Sequence, residues 1–207
     1  MDQAVSNAIH LLQQENNRLR DEVASLREEL SALQAYLRGI SALHEATNTI
    51  ATQDNLYQLL DEILYQALHI INTDHGSLLL VDDETRELVF VLVQGEFRES
   101  LQGYRMDWHR GIAGWVVEHG KPLVVNQARH DPRFSPEVDE RFGMRTHDIL
   151  AVPLKHGERV MGVIELVNKR SEQQFSDSDA KILALFGSIA AMSLAHLEEK
   201  LDLLEKQ

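Results

Sequence analysis

The chain has 207 residues, 43% of them apolar, and a formal net charge of −13 from 33 acidic and 20 basic residues. That length holds one domain of about 150 residues plus an elongated appendage, and the apolar content argues for a packed core over a disordered chain. The negative charge opposes condensation onto phosphate backbones or anionic lipid, and the absence of cysteine removes disulfides, thiolate metal sites, thioether cofactor attachment and any cysteine nucleophile. No apolar run in the sequence approaches the roughly 20 residues that span a bilayer, and MDQAVSNAIH has neither a basic n-region nor an apolar h-region. A cytoplasmic protein with neither nucleic acid nor membrane as partner is the expectation.

From Val5 onward apolar residues recur at alternating spacings of three and four. Ile9, Asn16, Val23, Leu30 and Leu37 fall at heptad position a, and Val5, Leu12, Leu19, Leu26, Leu33 and Ile40 at d. A repeat sustained over about five heptads predicts a coiled coil across residues 1–40. Asn16 at a favours two parallel strands in one register, because a buried asparagine pairs with its own copy and penalises other arrangements. Glu15 then faces Arg20, and Glu22 faces Arg27, of the second chain. The expected partner is therefore a second copy of this chain. A single amphipathic helix packed on its own domain is the competing reading.

Residues 41–197 read as one domain. A helix is expected over Ser41 to Thr52, then a second amphipathic helix capped by Asp54, with Leu56, Leu60, Ile63, Leu64, Ala67 and Ile71 on one face. From Gly76 the pattern becomes β-rich: GSLLLVD, a turn at Asp83–Thr85, then ELVFVLV, a hairpin. Further strands are expected at Tyr104–Asp107, Pro122–Val125, Asp148–Lys155 and Arg159–Asn168. The last two form a hairpin through His156-Gly157-Glu158, and Pro153 requires a bulge. Between Trp108 and His147 lies a long irregular stretch with short helices at Ile112–Glu118 and Pro136–Phe142, and so large an insertion is usually functional. Ser176 and Asp179 form a capping box for a long last helix. Its Leu194, Leu197, Leu201 and Leu204 are spaced like a second seam, so 198–207 is a helical extension leading to the chain end or to an output domain.

Five stretches carry a family likeness: GSLLLVDD, RGIAGWVVEHGKPLVVNQARHDPRF, GMRTHDILAVPL, GERVMGVIELVNK and FSDSD. In this order, from Leu56 to Leu197, the chain resembles the GAF family, in particular the regulatory domains of cyclic-nucleotide phosphodiesterases and bacterial signalling proteins. The resemblance implies an α+β fold: an antiparallel sheet of about six strands, helices on one face, and the stretch from Trp108 to His147 as a lid over a pocket on the other. Cyclic-nucleotide binders of this family carry Asn-Lys, a spacer, Phe, three residues and Asp-Glu. Asn168, Lys169, Phe175 and Asp179 match, while Ala180 replaces the glutamate. The implied role is a lock, with a Lys169–Asp179 ion pair pinning the last strand to the last helix over a buried Phe175. Where those domains place a base-reading aspartate after a strand, this chain has Gln127.

If a small anion binds, the start of the helix at Gly111-Ile112-Ala113-Gly114 is the best cradle, because unpaired N–H groups and the helix dipole favour negative charge there. Residues 98–148 hold eight basic and eight acidic side chains, so this part is neutral in an otherwise acidic chain. Arg110 and Arg105 lie nearest the cradle in sequence. Trp108 and Phe134 are candidates to stack on a ring, Ser77 to hydrogen-bond it, and Thr146 completes the ligand set that the resemblance implies. The ten histidines show no ligand spacing, so no metal or other cofactor is expected. No nucleophile elbow or phosphate loop is present, so no catalytic residue is assigned and no enzyme is expected. The expected function is a sensory or regulatory GAF domain that binds a small ligand, with a cyclic nucleotide as candidate, and relays through a coiled-coil homodimer to a signalling partner or output domain. The alternative is a ligand-free dimerisation or scaffold module of the same fold.

Overall fold

The computed structural model describes residues 12–24, 26–27, 53–170 and 174–205. Residues 12–24 are helical and exposed along their whole length. Leu12, Leu19, Val23 and Leu26, all expected at the seam, face solvent in the single chain. Glu15 accepts a hydrogen bond from Arg18 of its own helix at 2.9 Å. Residues 1–11 and 28–40 of the expected coil, and the expected helix over 41–52, lie outside the described residues.

Six strands form one antiparallel sheet: β1 (Thr73–Asp82), β2 (Glu87–Gln94), β3 (Arg105–Asp107), β4 (Leu123–Asn126), β5 (Asp148–His156) and β6 (Arg159–Lys169), in spatial order β3-β2-β1-β6-β5-β4. Alternation decides the two faces. Leu78, Leu92, Leu150, Val152, Ile164 and Leu166 are buried against two long helices, α1 (Gln53–Ile71) and α5 (Asp177–Glu205). Leu79, Phe90, Val93, Ile149, Ala151 and Val163 look the other way, into a second core closed by the lid. The lid consists of α2 (Arg98–Leu101), α3 (Gly111–His119), a 3₁₀ turn at Ala128–His130 and α4 (Glu137–Phe142). The strands, the two hairpins and both short lid helices stand within one or two residues of their expected positions, except that β1 begins at Thr73, three residues before the expected Gly76. The register break expected at Pro153 falls one residue later, between Leu154 and Lys155, with Pro153 still opposite Val163. Helix α1 starts at Gln53, one residue before the Asp54 expected to cap it.

Thr73 at the start of β1 stands opposite Lys169 at the end of β6. Helix α1 leads into β1 and α5 follows β6, so the two helices run antiparallel on the sheet. The chain therefore enters α1 and leaves α5 at the same end of the domain. With 29 residues against 19, α5 outlasts α1 by about 15 Å at 1.5 Å per residue. Leu194, expected in a second seam, is instead core, whereas Leu201 and Leu204 on the overhang are exposed. The sequence expectation of no span-length apolar segment needs one correction. Asp177–Leu201 of α5 holds an 18-residue window long and apolar enough to cross a bilayer by length and composition, yet 61% of that window is buried in the domain. Its apolar content is the content of a core helix.

Candidate functional site

A cavity of about 80 Å³ lies between the sheet and the lid. Its floor is a row across three strands, because Val93 pairs with Ser77 and Ser77 with Glu165. His75 and Val167, two residues along, extend it. The roof is made by Gly111, Ile112 and Ala113 at the start of α3, by Phe134 and Ser135, and by Val138 and Asp139 of α4. The lining is mainly apolar, with few polar groups, the usual composition of a small-molecule site. Its volume is below the roughly 300–1,000 Å³ of such sites, so a nucleotide-sized ligand requires the lid to move.

Glu165 is the side chain that sequence reasoning missed. Its carboxyl faces the cavity with protein around it, accepts no hydrogen bond among the described residues, and is driven by burial from the ordinary 4.5 up to about 7. The signal was present in the sequence: on one face of β6, Val163 and Val167 flank a lone acid. Ser77 opposite it is buried and likewise makes no side-chain hydrogen bond among the described residues. His75 also lines the cavity, with its Nδ1 buried beside Gly95 and lacking a partner among the described residues, so that Glu165 and Ser77 are the polar groups left open to a ligand. These are groups ready to meet N–H and O–H groups of a ligand.

At the other wall, no described acceptor receives the N–H groups of Gly111, Ile112 or Ala113, while Gly114 donates to the Arg110 carbonyl at 3.2 Å. These free donors and the helix dipole make the start of α3 the electropositive end of the cavity. Gly114 itself does not line it. A Cβ there would sit 2.6 Å from the Trp108 carbonyl oxygen, so Gly114 allows the preceding loop to fold against α3.

The remaining expected ligand residues fall in several places. Phe134 and Thr146 line the cavity. Thr146 donates its hydroxyl to Asp139 at 2.6 Å and its N–H at 3.0 Å, and Arg129 also donates to this carboxylate at 3.0 Å. This buried knot fixes α4 to the start of β5. Trp108 packs within the lid core, edge-on to His109, with a buried indole N–H lacking a partner among the described residues, and does not line the cavity. Gln127 is exposed in a left-handed conformation, φ 67°, with its N–H donating to Asp148 at 3.1 Å. That backbone turn, which the sequence did not reveal, aims its side chain away from the site. Arg110 is exposed and pairs with Glu137 at 2.7 Å. Arg105 binds Glu87, Asp82 and Thr85 around the β1–β2 turn; the Thr85 N–H and then Arg105 hold Asp82 below its ordinary value, and Arg105 does the same for Glu87.

The lock residues assemble at the far end of β6. Lys169 donates to Asp179 at 2.7 Å, and Asp179 also accepts from the N–H and hydroxyl of Ser176, at 2.7 and 2.9 Å. The Asp179 N–H returns to the Ser176 oxygen at 3.2 Å, completing the capping box. Phe175 is buried, and its backbone N–H and carbonyl both bond to the Asn126 amide. Asn168, at φ 56°, accepts from the His147 N–H and donates to the Arg145 carbonyl, both at 2.8 Å. None of the four lines the cavity. They join β4, β5, β6 and α5 beside it.

An antiparallel six-stranded sheet with terminal helices on one face and a lidded cavity on the other defines a small-ligand sensory and regulatory class of domain. The GAF domain family matches residues 53–195, and the chain belongs to that family, whose members are generally regulatory. Over 177 residues the chain is 31% identical to Dual 3′,5′-cyclic-AMP and -GMP phosphodiesterase 11 of Drosophila melanogaster, covering 78% of this chain and 12% of that protein. It thus spans a small part of this relative. Among solved structures, the GAF domain of Acinetobacter phosphoenolpyruvate-protein phosphotransferase matches with TM-score 0.66 and 20% identity, over 83% of this chain and 97% of that one. Free methionine-R-sulfoxide reductase of Neisseria meningitidis matches with TM-score 0.60 and 19% identity, over 80% and 93%. Both likenesses concern the fold.

Proposed function

We propose that the domain is a cytoplasmic sensor of a small dipolar ligand, with a cyclic nucleotide as the leading candidate, that signals through a homodimer. The observation that carries this reading is the pairing of ends in one cavity. Free N–H groups at the start of α3 suit an anionic phosphate, and Glu165 with Ser77 suits the N–H groups of a base. Phe134 and the apolar floor supply the contact surface between them. The relationship to a protein named for cyclic AMP and cyclic GMP supports the same ligand class.

The dimer is motivated by residues 12–24, an exposed helix with an apolar stripe. Isolated helices of this length are marginal in water, so a partner helix is required, and Asn16 favours a second copy in parallel. Because α1 enters and α5 leaves at one end, a ligand that shifts the sheet against these helices alters both connections together. Such coupling needs a ligand that binds one arrangement better than the other.

A scaffold that binds no ligand is the second reading, favoured by the 80 Å³ volume and by Ala180 and Gln127 at family positions. A thermal-shift screen of cyclic mononucleotides and dinucleotides separates the two. Sensing predicts a rise in Tm that grows with ligand concentration, and no rise at millimolar concentration favours the scaffold.

A further inference from the structure

Outside the cavity, a groove of about 370 Å³ runs between α3 and the segment joining the 3₁₀ turn to α4. Gly111, Phe134 and Ser135 line the groove and the cavity alike. The partition between the two spaces is therefore Gly111 at the start of α3 with Phe134 and Ser135, the last two in a stretch of residues 131–136 that belongs to no helix or strand. Elsewhere the cavity is bounded by the strands, by Phe97 and Leu101 of the α2 segment, by Met144, and by α3 and α4, the last held in place by the Asp139–Thr146 knot.

Two ionic contacts hold the partition. Arg110, at the start of α3, reaches across the groove to Glu137, the first residue of α4, at 2.7 Å. Arg133 forks onto Asp131 at 2.8 and 2.6 Å while its guanidinium lies 5.1 Å from the centre of the Trp115 ring. The first pair is exposed on both sides, which makes it weak and readily opened.

We propose that this groove is the mouth of the cavity, that ligands pass by displacement of the Phe134–Ser135 wall, and that Arg110–Glu137 is its latch. The proposal rests on the ligand-binding reading and adds its route and its gate. A small cavity separated from a larger groove by a single layer of residues gives a small molecule a short path. The latch sets the rate of access more than the affinity, since neither partner touches the cavity.

The cysteine-free chain allows a test that needs no ligand. Ser77→Cys places the only thiol of the protein on the cavity floor, and its reaction with methyl methanethiosulfonate measures access. In that background Arg110→Gln should speed modification about two- to fivefold, the range an exposed ion pair supports, and Phe134→Ala more. Arg159→Gln, which breaks a remote pair with Asp83 and Glu198, should leave the rate unchanged and controls for general loosening. Should Ser77→Cys fail to fold, Ala113→Cys serves on the opposite wall. An unchanged rate in Phe134→Ala, or a thiol inert in every variant, overturns the gate. Equal rates in Arg110→Gln and Arg159→Gln overturn the latch. Accelerated modification without stabilisation by any nucleotide keeps the gate and removes the nucleotide reading.

Discussion

Ser77 and Glu165 stand directly opposite each other on neighbouring strands, and neither side chain makes a hydrogen bond among the described residues. A stable core does not ordinarily keep such a pair, because even a half-buried carboxylate without a partner costs free energy. The pair is the chemical centre of the cavity.

That cost has a pH dependence. Below pH 4.5 the carboxyl is protonated in both folded and unfolded chains and makes no difference. As pH rises from 4.5 to about 7 the unfolded chain releases its proton and the folded chain keeps it, so stability falls, and above about 7 the loss is complete. The displacement from 4.5 to about 7 corresponds to at most roughly 3 kcal/mol, since the Glu165 side chain keeps part of its solvent exposure. Glu165→Gln should therefore raise Tm at pH 8 and leave it nearly unchanged at pH 4.5. Thermal melts across that interval check both the sign and the window.

Lys169→Ala strips the cation from Asp179, whose carboxylate is nine-tenths buried at the start of α5. Removing one member of a buried pair costs about 3–5 kcal/mol, partly offset here by the two Ser176 donors. Urea denaturation should show a loss of at least about 1–2 kcal/mol. Unaltered stability would mean that the Ser176 box alone secures the helix.

Gly114→Ala should cost about 1–3 kcal/mol, because its Cβ meets backbone at 2.6 Å and backbone cannot step aside as a side chain can. The variant should also shift the amide resonances of Gly111 to Ala113, readable by NMR. Perturbation confined to residues away from α3 would contradict the role given to this glycine.

Local signals carried much of the fold. The glycine turn at 157, the alternation in ELVFVLV and the Ser176–Asp179 box each specify their element within a few residues of sequence. The cavity was less legible. Glu165 becomes a site residue only when β6 lies beside β1 in the observed register, and that register is a long-range fact. Gln127 and Trp108 were misleading for local reasons: a positive φ turns one outward, and the core beneath the lid takes the other. Thr146 has its hydroxyl committed to Asp139, a carboxylate that nothing in the sequence set apart.

The homodimer is tested by mass. Sedimentation equilibrium should give a dimer for the whole chain, and Asn16→Val should raise coil stability while admitting higher oligomers. A variant that stays strictly dimeric would assign the oligomeric state to the domain instead of Asn16. A monomeric parent chain would remove the relay.

Calorimetric titration of the whole chain with cyclic AMP and cyclic GMP tests the central claim most directly. The account predicts saturable binding of at least one of them near one per chain, weakened at least tenfold by Ala113→Trp, which fills the cavity beneath α3. Absence of heat and of competition at millimolar nucleotide, or affinity untouched by that substitution, would contradict it.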